Sequence, residues 1–189
     1  MKKIVLIAAI LVAPIVSFGQ SLFDKYEDLD EVTSFVATQK MFNMLAQIDI
    51  NTDDPEADAY LDMVKSLNSL KVLTTGDEKI SANIKADVDK YLKSSKLEEL
   101  MRIKDGDQTV KIYVRDGKDE NHVKELLMFV NGLKEVTKDS NIEINGKKRE
   151  IETVLLSLTG DIDLRQISKL TNQMNVPGGK HLEKAGDKK

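Results

Sequence analysis

Alternating apolar and polar residues over positions 95–131 predict a β-hairpin followed by a third strand. Every second residue is apolar in TVKIYVR at positions 109–115, and a shorter alternation precedes it at positions 101–104. A period of two places one face of a strand on a core and the other face in water. Asp105-Gly106 lies between the two runs, and glycine adopts the positive φ that a tight hairpin turn requires. We therefore predict two paired strands joined at this turn.

The third run, KELLMFVN at positions 124–131, fits two structures. As a strand it would place apolar side chains on both faces, which is typical of a central strand that is covered on both sides. The spacing of Val123, Leu126, Leu127 and Val130 also fits a helix. We predict a strand and keep the helix as the alternative.

Three further strands are predicted outside this region. The runs at positions 32–38 and 71–75 are rich in β-branched residues. The run IETVLLSLT at positions 151–159 follows the same pattern, and Gly160 is predicted to end it. Its predicted inward residues are Val154, Leu156 and Leu158.

Four helices are predicted between and after these strands. The first lies at positions 40–48, and the second begins at Pro55, a residue that suits the first turn of a helix. Asp77 is placed to cap the third and clearest amphipathic helix, and Asp161 or Asp163 the last one. The apolar stripes are Met41, Met44, Leu45 and Ile48; Ala57, Leu61, Val64 and Leu67; Ile80, Ile84, Val88, Tyr91 and Leu92; and Leu164, Ile167, Leu170 and Met174.

Adjacent strands with helices gathered around them predict an α+β fold, a largely antiparallel β-sheet with helices packed on it. We expect one domain at positions 20–176, with about 4–6 strands and about 4 helices. Asn145-Gly146 is predicted to form a turn within it. The polar residues at positions 177–189 are predicted to form a mobile tail.

Positions 1–19 have the pattern of a secretory signal peptide. Two lysines precede an apolar run at positions 4–12 that is short for a bilayer-spanning helix. Small residues then lead to a cleavage site before Gln20. We predict a periplasmic or secreted protein with no membrane anchor after cleavage; the alternative is an uncleaved anchor.

The composition narrows the classes of partner. The chain of 189 residues has no cysteine, so it can form neither a disulfide nor a lipid anchor at the signal junction. Its net charge is −4, and loss of Lys2 and Lys3 with the signal peptide makes it about −6. A mildly acidic chain argues against nucleic acid and against an anionic membrane surface as partners.

The candidate metal ligands form no recognisable set. His122 and His181 are the only histidines, and a thiolate zinc site is impossible without cysteine. We interpret His122 as an exposed histidine in a turn. The sequence predicts no metal and no cofactor.

The acidic loop after Asp49 begins like a calcium-binding loop, with Asn51 and Asp53 at alternate positions. Its sixth position is Asp54 where the turn needs glycine, and its twelfth is Tyr60 where the bidentate glutamate belongs. We interpret it as a solvated loop whose carboxylates cap a helix.

Asp161 and Asp163 follow a strand, where two carboxylates could serve a hydrolase. Helix capping explains at least one of them without chemistry. Ser157 and Ser168 lack the Gly-x-Ser-x-Gly context of a nucleophile. The sequence therefore predicts no catalytic residue.

No phosphate-binding loop is present either. The glycines at position 117 and positions 178–179 match neither GxxxxGK[ST] nor GxGxxG.

Several motifs together resemble one known family. They are the Ser-Phe-Gly-Gln end of the signal peptide, the early strand followed by Lys-Met, Glu99–Met101, Val110–Val114, Glu125–Phe129 and Leu156–Asp163. The chain resembles the family called domain of unknown function 4252, exported proteins of Bacteroidota-type bacteria. The resemblance implies a soluble form, since many members are lipoproteins and this chain lacks the cysteine. It also implies a link to envelope-stress regulation, and it supplies no catalytic residues.

The leading hypothesis is an exported, non-catalytic binding protein that acts on a protein partner or an envelope component. One alternative is a small hydrolase that uses carboxylates near Asp161 and Asp163. The other is a structural envelope protein that associates with itself through an exposed edge of the sheet.

Overall fold

A six-stranded sheet, in which every neighbouring pair of strands is antiparallel, organises the chain. The computed structural model describes residues 22–47, 55–138, 143–144 and 147–166. Across the sheet the strands are β1 (Val32–Thr38), β2 (Leu67–Thr75), β8 (Thr153–Asp163), β5 (His122–Asn131), β4 (Gln108–Asp116) and β3 (Glu98–Asp105). A separate pair consists of β6 (Glu143–Ile144) and β7 (Lys147–Lys148).

Helices accompany this sheet on both faces, which confirms the predicted α+β class. The helices are α1 (Gln39–Leu45), α2 (Pro55–Ser66), α3 (Glu78–Ser94) and α4 (Lys134–Thr137). Among the described residues, no helix combines the length and the hydropathy needed to cross a membrane.

Helix α3 covers one face of the sheet because one side of it is apolar. Its N-terminus is fixed by Asp77, whose side chain accepts a 2.8 Å hydrogen bond from the main-chain N–H of Ile80. Ile84, Val88 and Tyr91 are buried against the sheet. The predicted cap and amphipathic helix are therefore confirmed.

A helical turn at positions 22–24, for which no element was predicted, completes this face. Phe23 is only 1% exposed and Tyr26 only 2%. The hydroxyl of Tyr26 donates to Asp87 on α3 at 2.6 Å. This short segment thus joins the core through aromatic side chains that show no helical or strand period.

Helices α1 and α2 cover part of the opposite face. They contribute Phe42 and Val64 to a core that includes Leu126, Leu158 and Ile162 of the central strands. Strands β5 and β8 are therefore buried from both sides. That burial is why the run at positions 124–131 is apolar on both faces, and the helical alternative for it is wrong.

The predicted hairpin is confirmed in its strands and its turn. Strands β3 and β4 pair up to Asp105 and Gln108, and Gly106 between them has a φ of +56°. The neighbouring strand β2 begins at Leu67, directly after α2, and not at Lys71 as predicted. Leu67 is thus a strand residue, although it continues the apolar stripe of the helix.

The prediction that Gly160 ends the last strand was wrong. Strand β8 continues to Asp163, and Gly160 lies inside it with a φ of +147°. Its backbone lies directly against the junction of α2 and β2, where a Cβ would stand 2.8 Å from the Cα of Leu67 and inside contact distance of the Ser66 carbonyl. Glycine here permits a close approach of two backbone segments instead of breaking the strand.

The predicted inward face of β8 was also wrong in part. Leu155 is completely buried, whereas Val154 and Leu156 are half-buried and Leu158 is buried. Helices lie on both faces of this central strand, so residues at both odd and even positions are covered.

Several predictions fall outside the described residues. They are the signal peptide, the start of the calcium-like loop, the turn at positions 145–146, the last helix beyond position 166 and the polar tail. Strands β6 and β7, which precede and follow positions 145–146, pair with Ile144 opposite Lys147.

Candidate functional sites

The two carboxylates that the hydrolase hypothesis needs lie near His122, at one end of the sheet. Asp163 of β8 is paired with His122, the first residue of β5, and Asp161 precedes it by two positions. Asp119, in the turn before β5, lies 2.7 Å from the Nδ1 of His122 through Oδ1. We call this group, with Lys118 and Arg165, the His122 cluster. The sheet therefore brings together residues that are far apart along the chain.

Each carboxylate of the His122 cluster is already paired. Asp161 accepts a 2.6 Å hydrogen bond from the Nζ of Lys118. Asp163 accepts two from the guanidinium of Arg165, at 3.0 and 2.8 Å, and a third from the main-chain N–H of Arg165 at 2.9 Å. That third bond is the capping role predicted for Asp161 or Asp163.

This pairing works against general acid catalysis. The hydrogen bond from Arg165 lowers the pKa of Asp163, and that from His122 lowers the pKa of Asp119. A carboxyl group that donates a proton near neutral pH needs a raised pKa. Within the described ranges, no three histidine or acidic side chains converge to hold a metal ion.

His122 itself differs from the prediction. It was interpreted as an exposed turn residue, but it starts β5 and its side chain is 15% exposed. The ring is held by Asp119 three residues earlier, a local arrangement that the turn spacing could have indicated. Residues His181, Ser168 and 178–179 lie outside the described part of the chain.

A buried network surrounds Glu125, and no local pattern in the sequence indicates it. Glu125 is only 9% exposed, at an irregularity in the pairing of β5 with β8. Its Oε2 accepts from the Nε and Nη2 of Arg115, at 3.2 and 2.9 Å, and its Oε1 accepts from the hydroxyl of Tyr91 at 3.0 Å. A buried charge must be paired in this way. The network ties α3 to the sheet, and both oxygens of the carboxylate accept hydrogen bonds.

We expect Tyr91 to ionise at unusually high pH. Its burial, followed by the negative charge of Glu125, raises its pKa from 10.0 to about 12. The unfolded chain loses this proton near the lower value, so the free energy of unfolding should fall as pH rises from about 10 to about 12. When tyrosinate absorbance is measured directly after rapid jumps to a series of pH values, the wild type should show an ionisation step near pH 12 that Tyr91→Phe lacks. If Tyr91→Phe instead lacked an ionisation step near the ordinary tyrosine pKa, the prediction would be contradicted.

A second buried polar group joins α3 to the central strands. The hydroxyls of Ser81 and Thr153 lie 2.5 Å apart, so one of them donates to the other. The Oδ1 of Asn131, which lies 3.1 Å from the Ser81 Oγ and 2.9 Å from the Thr153 Oγ1, accepts from the hydroxyl whose proton remains. Their partners are an amide oxygen and each other, and not a base that could activate a nucleophile. Ser157, which lacks the sequence context of a nucleophile, is buried inside β8.

The two edges of the sheet differ sharply in charge. Strand β3, at one edge, has five charged residues among eight, and its pairing with β4 is interrupted between Glu99 and Met101. Strand β1, at the other edge, reads VTSFVAT and has no charged residue. Charged residues and irregularities are how sheets block pairing with another strand. Only the β3 edge carries them.

Exposed apolar side chains accompany the uncharged edge. Phe35 is 48% exposed and Val36 45%. Helix α1 follows β1 directly, packs beside it, and adds three more exposed apolar residues. We call β1 and these side chains of α1 the β1 surface. Its exposed apolar members are Phe35, Val36, Met41, Met44 and Leu45.

Two hydrogen bonds show how the main chain of β1 is oriented. The N–H of Val32 donates to the carbonyl of Leu29 at 3.0 Å and not to β2. Thr75, its partner residue in β2, accepts from Glu152 on the far side at 2.8 Å. The main-chain groups of an antiparallel strand point alternately to its two sides. Val32 and every second residue after it therefore face away from β2.

The outward main-chain groups are those of Ser34 and Val36. Both residues are exposed, and among the described residues no strand pairs with this side of β1. The Oγ of Ser34 donates to the carbonyl of Glu27 at 3.1 Å. Within the described part of the chain, the Ser34 N–H takes part in no main-chain hydrogen bond to a turn or loop. The edge of β1 thus presents main-chain hydrogen-bond donors and acceptors at the spacing that pairing with another strand requires.

A shallow hollow near the end of β1 is not a small-molecule site. It is bordered by Thr33, Gly76 and Arg149, among others, and its volume is about 10 Å³. A volume of that size holds about one water molecule.

A family model described as "Domain of unknown function (DUF4252)" matches residues 26–170. The matched range contains every strand of the six-stranded sheet. No curated protein and no solved structure matches the chain.

Proposed function

Because the chain belongs to the family of domain of unknown function 4252, whose description assigns no activity, we propose a function from its own geometry. The protein is an exported, non-catalytic binding protein that takes up an extended, uncharged segment of a protein partner. The observation that carries this proposal is the β1 surface, an unblocked edge strand flanked by exposed apolar side chains.

Strand addition supplies both affinity and selectivity at such an edge. The main-chain groups of Ser34 and Val36 provide hydrogen bonds to an incoming strand, whatever its sequence. Phe35 and Val36 point to opposite faces, so they contact alternate side chains of that strand. The methionines of α1 add adaptable apolar contacts beside it. An uncharged partner segment fits best because this surface offers no charge to pair with.

The proposed location is the periplasm or the exterior of the cell. The signal-peptide pattern at positions 1–19 supports it, as does the export that the resemblance implies. A role in envelope-stress regulation would then be exercised through binding. The hydrolase alternative gains no support, because the carboxylates of the His122 cluster are paired and the pKa of Asp163 is lowered.

The test is a proline at the outward position of β1. Ser34→Pro removes the outward N–H but none of the hydrogen bonds from β1 to β2, so the fold should persist. The immobilised protein is exposed to an envelope extract, and retained proteins are identified. We expect the wild type to retain at least one protein that Ser34→Pro does not.

Ser34→Ala is the matched control. It loses the side-chain hydrogen bond to Glu27 but keeps the outward N–H, so it should retain what the wild type retains. Thermal unfolding by circular dichroism checks that all three proteins are equally folded. Identical retention by the wild type and Ser34→Pro would show that β1 is not the binding edge.

A further inference from the structure

We propose that the strand bound at the β1 surface is β1 of a second copy of this chain, paired antiparallel about a twofold axis beside Phe35. The inference rests on the proposed function of the β1 surface and adds the identity of its partner. It makes a symmetric dimer whose two sheets continue into each other.

The outward main-chain groups determine the register. Hydrogen-bonded pairs in an antiparallel ladder must join residues that both face the partner. Ser34 therefore lies opposite Val36 of the second copy, and Val36 opposite Ser34. Phe35 then lies opposite Phe35 in a non-hydrogen-bonded pair, the kind in which side chains are closest. The two half-exposed aromatic rings meet across the axis, and cross-strand aromatic pairs stabilise a sheet.

The charges at the two ends of β1 favour the antiparallel arrangement. Asp30 and Glu31 precede the strand and Lys40 follows it, and all three are exposed. Antiparallel pairing brings the acidic end of each strand beside the basic end of the other. Parallel pairing would place like charges together. The strand is therefore complementary to itself in one direction only.

Exposed apolar residues at the same ends also become neighbours. Leu29, just before the strand, and Met41, just after it, are each 40% exposed. In the antiparallel dimer each Leu29 lies at the end of the interface where the second copy places Met41. The pairing thus covers apolar side chains that a lone chain leaves in water, which is a driving force for association.

The absence of cysteine makes a direct test of the register possible. In the proposed dimer the Cα atoms of the two Phe35 residues are about 4.5 Å apart, within the range that a disulfide bridges. Under mild oxidation, Phe35→Cys should form a covalent dimer in high yield. Val36→Cys is the control, because its two Cα atoms would be about 8–9 Å apart, too far for a disulfide.

Light scattering on the wild type provides an independent measure. We expect a mass twice that of the monomer, and Ser34→Pro should raise the dissociation constant of the dimer at least about tenfold by removing one hydrogen bond from each strand. A wild type that stays monomeric at high concentration, with Phe35→Cys and Val36→Cys cross-linking equally slowly, would overturn the second-copy proposal. In that case, if Ser34→Pro did not retain a protein that the wild type retains from the envelope extract, a different partner would still be supported at the same edge. If Ser34→Pro and the wild type retained the same proteins, the proposed function itself would be contradicted.

Discussion

Leu155→Ala is expected to lower the free energy of unfolding by about 3–5 kcal/mol. Leu155 is completely buried in the central strand β8 and faces helix α3. Its cross-strand neighbours are Leu73 on one side and Phe129 on the other. Because both neighbours are held by their own strands, they can fill little of the cavity, so the variant loses burial and contacts together. Denaturant unfolding followed by circular dichroism measures the loss.

The matched control is Leu100→Ala on the edge strand β3. Leu100 is 38% exposed and lies where the pairing with β4 is interrupted. Its truncation should cost less than about 1 kcal/mol, as is usual for surface positions. Equal losses for the two leucines would mean that Leu155 is not at the centre of the core.

Gly160→Ala is expected to cost at least about 3 kcal/mol, from two effects that add. The φ of +147° is one that side chains disfavour, and the new Cβ would collide with the backbone of Ser66 and Leu67. Backbone atoms cannot rotate away as a side chain can, so the junction of α2 and β2 must move. The loss is again measured by denaturant unfolding.

Gly106→Ala separates the two effects. Gly106 also has a positive φ, +56°, but nothing lies within 4 Å of where its Cβ would stand. Only the conformational cost of about 1–2 kcal/mol should appear there. If both alanine variants lost the same amount, close backbone approach would not be the reason for glycine at position 160.

The expected outcomes for these variants separate the residues that hold the fold from the proposed binding surface. Leu155 and Gly160 hold the central strand in place, whereas Ser34 and Phe35 lie at an edge that the core does not need. Stability and binding can therefore be changed independently by substitution.

Some features of this fold were predictable because their causes are local. A period of two predicted β3 and β4, β-branched residues predicted β1, and Asp105-Gly106 predicted the hairpin, since a tight turn needs the positive φ of Gly106. Asp77 predicted the start of α3 because a cap acts on its own first turn. The capping role of Asp163 follows from the same local chemistry.

Other features depend on residues far apart along the chain. The role of Gly160 depends on the backbone of Ser66, and the burial of Glu125 depends on Arg115 and Tyr91. Phe23 shows no period because its partners belong to other elements. A local sequence pattern does not include a contacting residue that lies far along the chain, so the roles of Gly160, Glu125 and Phe23 could not be predicted from their sequence neighbours.

The amino-acid sequence by itself determined the α+β class, most strands and helices, the family, and the lack of any cysteine, because these follow from composition, periodicity and motifs. Only the tertiary structure decided that the uncharged strand β1 lies at an edge and that the carboxylates of the His122 cluster are each paired. The physical reason is that strand order and side-chain pairing arise from contacts between distant segments. The seven uncharged residues of β1 could form a central strand or an edge strand, so their sequence alone does not show which position they occupy.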